Sequence, residues 1–125
     1  MSINKETVRK YVEGFCKSDH AMVLSCLTDD VKWLIPGMFE IQGKVAFDKE
    51  IENDAFTGSP VIQIKRLIEE DNIVIAEGSV HSKMKNGGLL DAVFCDVFEM
   101  EGGKIKQLTS YLMDKNPSKN NQANS

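Results

Sequence analysis

Residues 61–113 read VIQIKRLIEEDNIVIAEGSVHSKMKNGGLLDAVFCDVFEMEGGKIKQLTSYLM, and the turn residues inside this stretch decide the fold. Glu70-Asp71-Asn72 separates 61–68 from 73–83, Asn86-Gly87-Gly88 separates 73–83 from 89–100, and Glu101-Gly102-Gly103 precedes 105–113. Asn, Asp and Gly accept the backbone angles of tight hairpin turns, and the runs between them are rich in β-branched and aromatic residues. Four consecutive strands joined by hairpins make an antiparallel meander.

Upstream, the period changes from two to helical. Val8, Tyr11, Val12 and Phe15 share one face over 5–17, with Asn4 as the expected cap. Ser18-Asp19 supplies a break and a second cap, and Met22, Val23, Cys26 and Leu27 give another short helical face. Val31-Lys32-Trp33-Leu34-Ile35 reads as a strand with its odd positions toward the core, stopped by Pro36-Gly37. Gly43 opens a third amphipathic helix carrying Val45, Phe47 and Ile51 and ending near Asn53, followed by a turn-rich Thr57-Gly58-Ser59-Pro60. Helices first and strands afterwards predict an α+β layer rather than alternating βαβ units. Residues 1–114 are expected to form one domain, and 115–125 too little apolar surface to fold, hence a disordered polar tail.

Composition narrows the function classes. The chain has 125 residues, 42% apolar and 27% charged, the proportions of a globular domain. A formal charge of -4, with 15 basic residues scattered among 19 acids, argues against nucleic acid as a partner. Cys16, Cys26 and Cys95 are odd in number and lack C-x-x-C spacing, which suggests core fillers rather than disulfides or a zinc knuckle. No stretch approaches the about 18 apolar residues of a membrane span and no leader pattern is present, so a cytoplasmic protein without a membrane partner is expected. Phosphate loops, a nucleophile elbow and H-E-x-x-H are missing, and His20 and His81 are far apart, so neither a metal nor another cofactor is expected.

One residue breaks the apolar pattern in a way that suggests chemistry. In Ala92-Val93-Phe94-Cys95-Asp96-Val97-Phe98, alternation puts Ala92, Phe94, Asp96 and Phe98 on one face. If that face is the concave one, Asp96 is desolvated, its pKa rises, and it serves as hydrogen-bond donor or general acid/base. The structural alternative is a hydrated edge carboxylate. His81, on the neighbouring strand, shares a face with Glu77 and Ser79; which face depends on register, and an imidazole beside Asp96 would exchange protons with a substrate. Trp33, Ile35, Phe39, Phe47, Phe94, Phe98, Leu108 and Leu112 are expected as pocket walls for a small, ring-bearing hydrophobic molecule, or else as core packing. Glu77 and Ser79 would join them if they face inward, and Ser110 and Asp114 close the last strand.

Arg9-Lys10-Tyr11, Leu27-Thr28-Asp29-Asp30-Val31, and Asp96-Val97-Phe98-Glu99-Met100 ahead of Gly103-Lys104-Ile105 resemble ketosteroid isomerase segments. The element order resembles the nuclear transport factor 2-like superfamily, which includes ketosteroid isomerases, limonene epoxide hydrolases and SnoaL-like polyketide cyclases. The resemblance implies a cone-shaped, strongly curved antiparallel sheet packed on three N-terminal helices, a cystatin-like α+β roll. It implies that Tyr11, eighteen residues before Asp29, is an oxyanion-hole tyrosine and that Asp96 is the protonated aspartic acid sharing the oxyanion. It places the proton-shuttling carboxylate at Ile35, which cannot move a proton, so ketosteroid isomerisation by the usual route is not expected. It further implies a homodimer through an outer sheet face carrying Val93, Cys95, Val97, Tyr111 and Met113. Two functions stay open: a cofactor-independent isomerase, cyclase or hydratase using Asp96 with Tyr11 and His81, and a non-catalytic ligand-binding or dimeric interaction module.

Overall fold

The computed structural model describes residues 2–52 and 56–115. Helix α1 spans Ile3–Lys17, started by the Ser2 hydroxyl accepting from the Lys5 N–H rather than by Asn4, and stopped where Ser18 turns left-handed at φ 51°. Asn4 instead donates its side-chain amide to Glu69 at 3.1 Å. Helix α2, His20–Ser25, is capped by Asp19, whose carboxylate accepts from the Met22 N–H. Strand β1 then runs Leu27–Ile35, earlier than the apolar pattern predicted, because an irregularity between Leu27 and Lys32 lets Leu27 pair while Thr28, Asp29 and Asp30 stay toward water. Strand β2, Phe39–Gln42, was not anticipated: it is short, lies at the sheet edge and folds back on β1 through the turn at Gly37, φ 81°. Helix α3 is Lys44–Ile51; the expected end at Asn53 lies outside the described residues.

Strands β3 (Phe56–Glu70), β4 (Ile73–Met84), β5 (Leu89–Glu101) and β6 (Lys104–Asp114) form the predicted antiparallel meander. The full order is β2-β1-β6-β5-β4-β3. The one departure from antiparallel pairing is β1 beside β6, which run parallel because the whole of α3 and the meander serve as the crossover between them. Thr57-Gly58-Ser59-Pro60 belongs to β3 instead of forming a separate turn. The ladder to β4 skips between Thr57 and Val61, and β3 is an edge strand, where a proline without an N–H is tolerated. The expected tail lies outside the described residues apart from Lys115, whose N–H donates to the Asp91 carbonyl at 2.9 Å. No helix among the described residues is long and apolar enough to cross a membrane.

The curved, unclosed sheet packs one face on the helices. Val74 and Ala76 of β4, Phe98 of β5, and Ile105 and Leu108 of β6 are fully buried against Val8, Val23, Leu27, Val31 and Phe47. Each such large side chain contributes about 1.5–3 kcal/mol by leaving water, so this inner face fixes the register of every strand. Gly78 marks the sharpest approach. A Cβ there would stand 2.0 Å from the Gln63 carbonyl oxygen and 3.0 Å from the Phe94 ring, next to the β3 bulge between Ile64 and Arg66.

Because a backbone atom cannot yield as a side-chain tip can, Gly78→Ala is expected to cost about 3 kcal/mol. Equilibrium urea unfolding measures it. A variant as stable as the parent chain would show that β3 and β4 do not approach so closely.

Candidate functional site

Strand pairing sets out the site as cross-strand rows. Ala76, Asp96 and Ser110 lie opposite one another on β4, β5 and β6; the row on one side is Gly78, Phe94 and Leu112, and on the other Val74, Phe98 and Leu108. Asp96 therefore points to the helix-covered face, as the alternation of β5 required. It keeps part of its surface accessible, while Ala76, Phe98 and Leu108 keep none. Loss of water pushes its carboxyl from 3.8 up to about 7, and a hydrogen bond with the Ser110 hydroxyl works in the opposite direction.

Tyr11 comes to this carboxyl from α1. It is 5% exposed, and burial first, then the Asp96 charge, drive its hydroxyl pKa well above the ordinary value. It is a neutral donor at any physiological pH. Its ring meets Phe15, Phe98 and Phe47 edge-on at 5.1, 5.5 and 6.1 Å. Trp33 approaches from β1, stacked on Phe47 at 4.8 Å, with its indole Nε1–H donating to the Ser110 Oγ at 3.0 Å. The parallel β1–β6 junction, which pairs Trp33 with Leu108, brings these two side chains together. That bond was not foreseen, since nothing in the sequence pattern signals which strand closes beside β6.

The expected pocket walls divide into two groups. Phe47, Phe98 and Leu108 are fully buried and belong to the core rather than to a ligand surface, because they pack in one cluster with the rings of Tyr11 and Trp33. Trp33, Ile35 and Phe39 retain partial exposure, Phe94 retains 8%, and Leu112 is 40% exposed, toward the far end of β6, where Ile35, Phe94 and Leu112 reach an open groove. Asp114, opposite Ala92, sits at the same end.

His81, Glu77 and Ser79 fall on the other side of the sheet. The β4–β5 ladder runs without a bulge, so with Ala76 facing inward beside Asp96, the side chains of 77, 79 and 81 face outward. His81 Nδ1 lies 3.2 Å from Asp91 Oδ1, and Glu77 accepts from Arg66 Nε at 2.6 Å, which holds its carboxyl below the usual range. The expected Asp96–His81 pair does not form, and neither Glu77 nor Ser79 lies on Asp96's face. An open groove of about 550 Å³ runs past Pro36, Met38, Val93, Cys95, Tyr111 and Met113 of the outer face and also reaches Gly78, Phe94, Ser110 and Leu112 of the inner one. Ile35 touches it as well. Among the described residues, no group of three or more His, Cys, Asp or Glu is arranged to hold a metal ion.

Comparison with known proteins agrees with this architecture. Residues 8–108 match the SnoaL-like domain family. An NTF2-like protein of unknown function from Burkholderia pseudomallei superposes with a TM-score of 0.80 at 22% identity, over 90% of this chain and 92% of its own. An LEH-like epoxide hydrolase of Mycobacterium tuberculosis gives 0.79 at 18% identity, over 89% and 83%. TerC, crystallised with polyporic acid, gives 0.79 at 19%, over 99% and 100%. At these identities the likeness to solved structures establishes the fold alone. No curated protein matches the sequence significantly.

The Asp96 environment has a consequence for stability. Its folded pKa lies above that of the unfolded chain, so between about pH 4 and 7 the folded state holds a proton that the unfolded state releases. Stability from this group is full below that window, falls as pH rises through it, and stays low above 7. Asp96→Asn is expected to raise stability at pH 8 by on the order of 2–4 kcal/mol and to change it little at pH 4. Thermal unfolding of both proteins across that range measures it; parallel curves would mean the carboxyl is hydrated.

Proposed function

The chain belongs to the SnoaL-like domain family, and we propose that it is a cofactor-independent acid/base catalyst acting on a small, mainly apolar, ring-bearing carbonyl compound, with Asp96 as the catalytic group. The observation that carries this reading is a carboxyl pushed up to about 7 on the inner face, at the accessible end of an aromatic interior. An acid/base works best when its pKa lies near the working pH. Tyr11, neutral and buried beside it, is suited to donating its hydroxyl hydrogen to an oxygen that gains negative charge.

With Ile35 at the position that the ketosteroid isomerase resemblance gives to a second base, one carboxyl must do both halves of the proton bookkeeping. Ionised Asp96 takes a proton from a carbon next to the carbonyl, and Tyr11 stabilises the enolate oxygen. Protonated Asp96 then returns the proton to the new oxygen or carbon. Ring closure or a short-range isomerisation fits this, since both atoms lie within reach of one group. A binding protein holding the same ligand is the alternative, and the loss of turnover in Asp96→Asn separates the two.

Trp33 is the single tryptophan and its ring is part of the site, so its fluorescence reports occupancy. Hydroxyquinones such as polyporic acid and aromatic 1,3-diketones are expected to quench it. For a compound that is turned over, Asp96→Asn is expected to lower kcat at least 100-fold with quenching retained, and Tyr11→Phe roughly 10-fold. Undiminished turnover in Asp96→Asn removes the catalytic assignment; quenching without turnover of any compound favours binding.

The outer face supports a second, compatible proposal, a homodimer. Val93, Tyr111 and Met113 are 43%, 54% and 70% exposed on adjacent strands, and Met38 at the groove edge is 73% exposed. A contiguous apolar patch of this kind marks an interaction surface. The double variant Val93→Lys/Tyr111→Lys is expected to convert a dimer to a monomer in light scattering while leaving Trp33 quenching unchanged. A wild-type monomer at high concentration would exclude the dimer.

A further inference from the structure

Trp33 and Ser110 touch the acid/base site in a way that has nothing to do with contacting a ligand. An indole N–H donates and never accepts, so in the 3.0 Å bond between Trp33 Nε1 and Ser110 Oγ the serine oxygen is the acceptor. The serine hydrogen is thereby turned away from Trp33 and is available to Asp96, its cross-strand partner, whose pKa the serine hydroxyl lowers. The chain of bonds has one direction only. Its origin is fixed by packing: the indole is stacked on Phe47 at 4.8 Å and 25° and held edge-on by Phe39 at 5.2 Å and Phe15 at 5.9 Å. Ser110 is 6% exposed, so little water competes for its hydroxyl.

We propose that Trp33 and Ser110 are positioning residues, a one-way donor chain from indole to hydroxyl to carboxyl that commits one oxygen of Asp96 as a permanent acceptor and leaves the other to deal with the bound molecule. This rests on the reading of Asp96 as the acid/base. Without the chain, a carboxyl in an apolar interior has two equivalent oxygens and rotates freely about its terminal bond. With it, the orientation of the exchanging oxygen is set before anything binds, which is the form of preorganisation an acid/base site needs. Linked hydrogen bonds also polarise one another, so the indole strengthens the donor that Asp96 meets. A phenylalanine at 33 would stack on Phe47 equally well but would donate nothing.

The groups facing Asp96 from the surrounding elements are few. From α1 comes Tyr11, the titratable neighbour; β4 offers Ala76 and β6 offers Ser110 and Leu108, none of which titrates. Ser110 is therefore the group whose removal should act most directly on the Asp96 titration.

The test is a pH titration of the resting protein, following the Asp96 carboxyl by carbon-13 NMR, in four proteins. Relative to the parent chain, Ser110→Ala is expected to move the midpoint up by roughly one pH unit, the tenfold effect of losing a hydrogen bond to a charged acceptor. Trp33→Phe, which keeps the stacking ring, is expected to move it in the same direction by about a fifth as much. Ser110→Thr, which keeps the hydroxyl, is expected to restore the parent midpoint. An unchanged midpoint in Trp33→Phe overturns the chain, and an unchanged midpoint in Ser110→Ala overturns the role of the serine. Because no substrate enters this measurement, its result is separate from the turnover of Asp96→Asn. The chain can fail with the catalytic reading intact, and the reverse.

Discussion

The register of β4, β5 and β6 holds the rest of the structure in place. It is fixed by the inward rows on either side of Asp96, the fully buried Val74 with Phe98 and Leu108, and Gly78 with Phe94. A slip of one residue would turn each of these outward and each of Val93, Cys95 and Val97 inward. Asp96 is carried inside by its neighbours, at an energetic cost that the surrounding apolar burial offsets. The cost takes the form of a raised pKa, and it is this displacement that the proposed acid/base role uses.

Around that carboxyl the helices and the outer strands have distinct tasks. Helix α1 delivers Tyr11, whose hydroxyl stays protonated because both burial and Asp96 oppose its ionisation. Helix α3 delivers Phe47, the plate on which Trp33 lies. The parallel β1–β6 junction brings the Trp33 indole to Ser110. The outer face is treated differently: the charged pair Arg66–Glu77 and the His81–Asp91 contact lie toward water beside an apolar groove. In the proposed reading the acid/base carboxyl and the assembly surface lie on opposite faces of the sheet.

Much of this was legible in the sequence. Asn-Gly-Gly and Glu-Gly-Gly turns located the hairpins, and period-two alternation placed Asp96 with Phe94 and Phe98. The helix faces likewise put Tyr11 in the core. What could not be read depended on long-range pairing. The short β2 has no pattern long enough to register, and the parallel contact of β1 with β6 has no local signature, so the Trp33–Ser110 bond was out of reach. The face of His81 needed the register against β5, which places it five positions from the inward Ala76 and hence outside. Residue type alone made Phe47, Phe98 and Leu108 look like pocket walls; packing against Tyr11 and Trp33 makes them core.

The claim on which all of this turns is that the Asp96 carboxyl has been taken out of water. Its own titration in the folded wild-type chain, by carbon-13 NMR of selectively labelled aspartate, measures that directly. A midpoint near 7 is predicted, and a midpoint near 4, the value of a carboxylate in free contact with solvent, would contradict it.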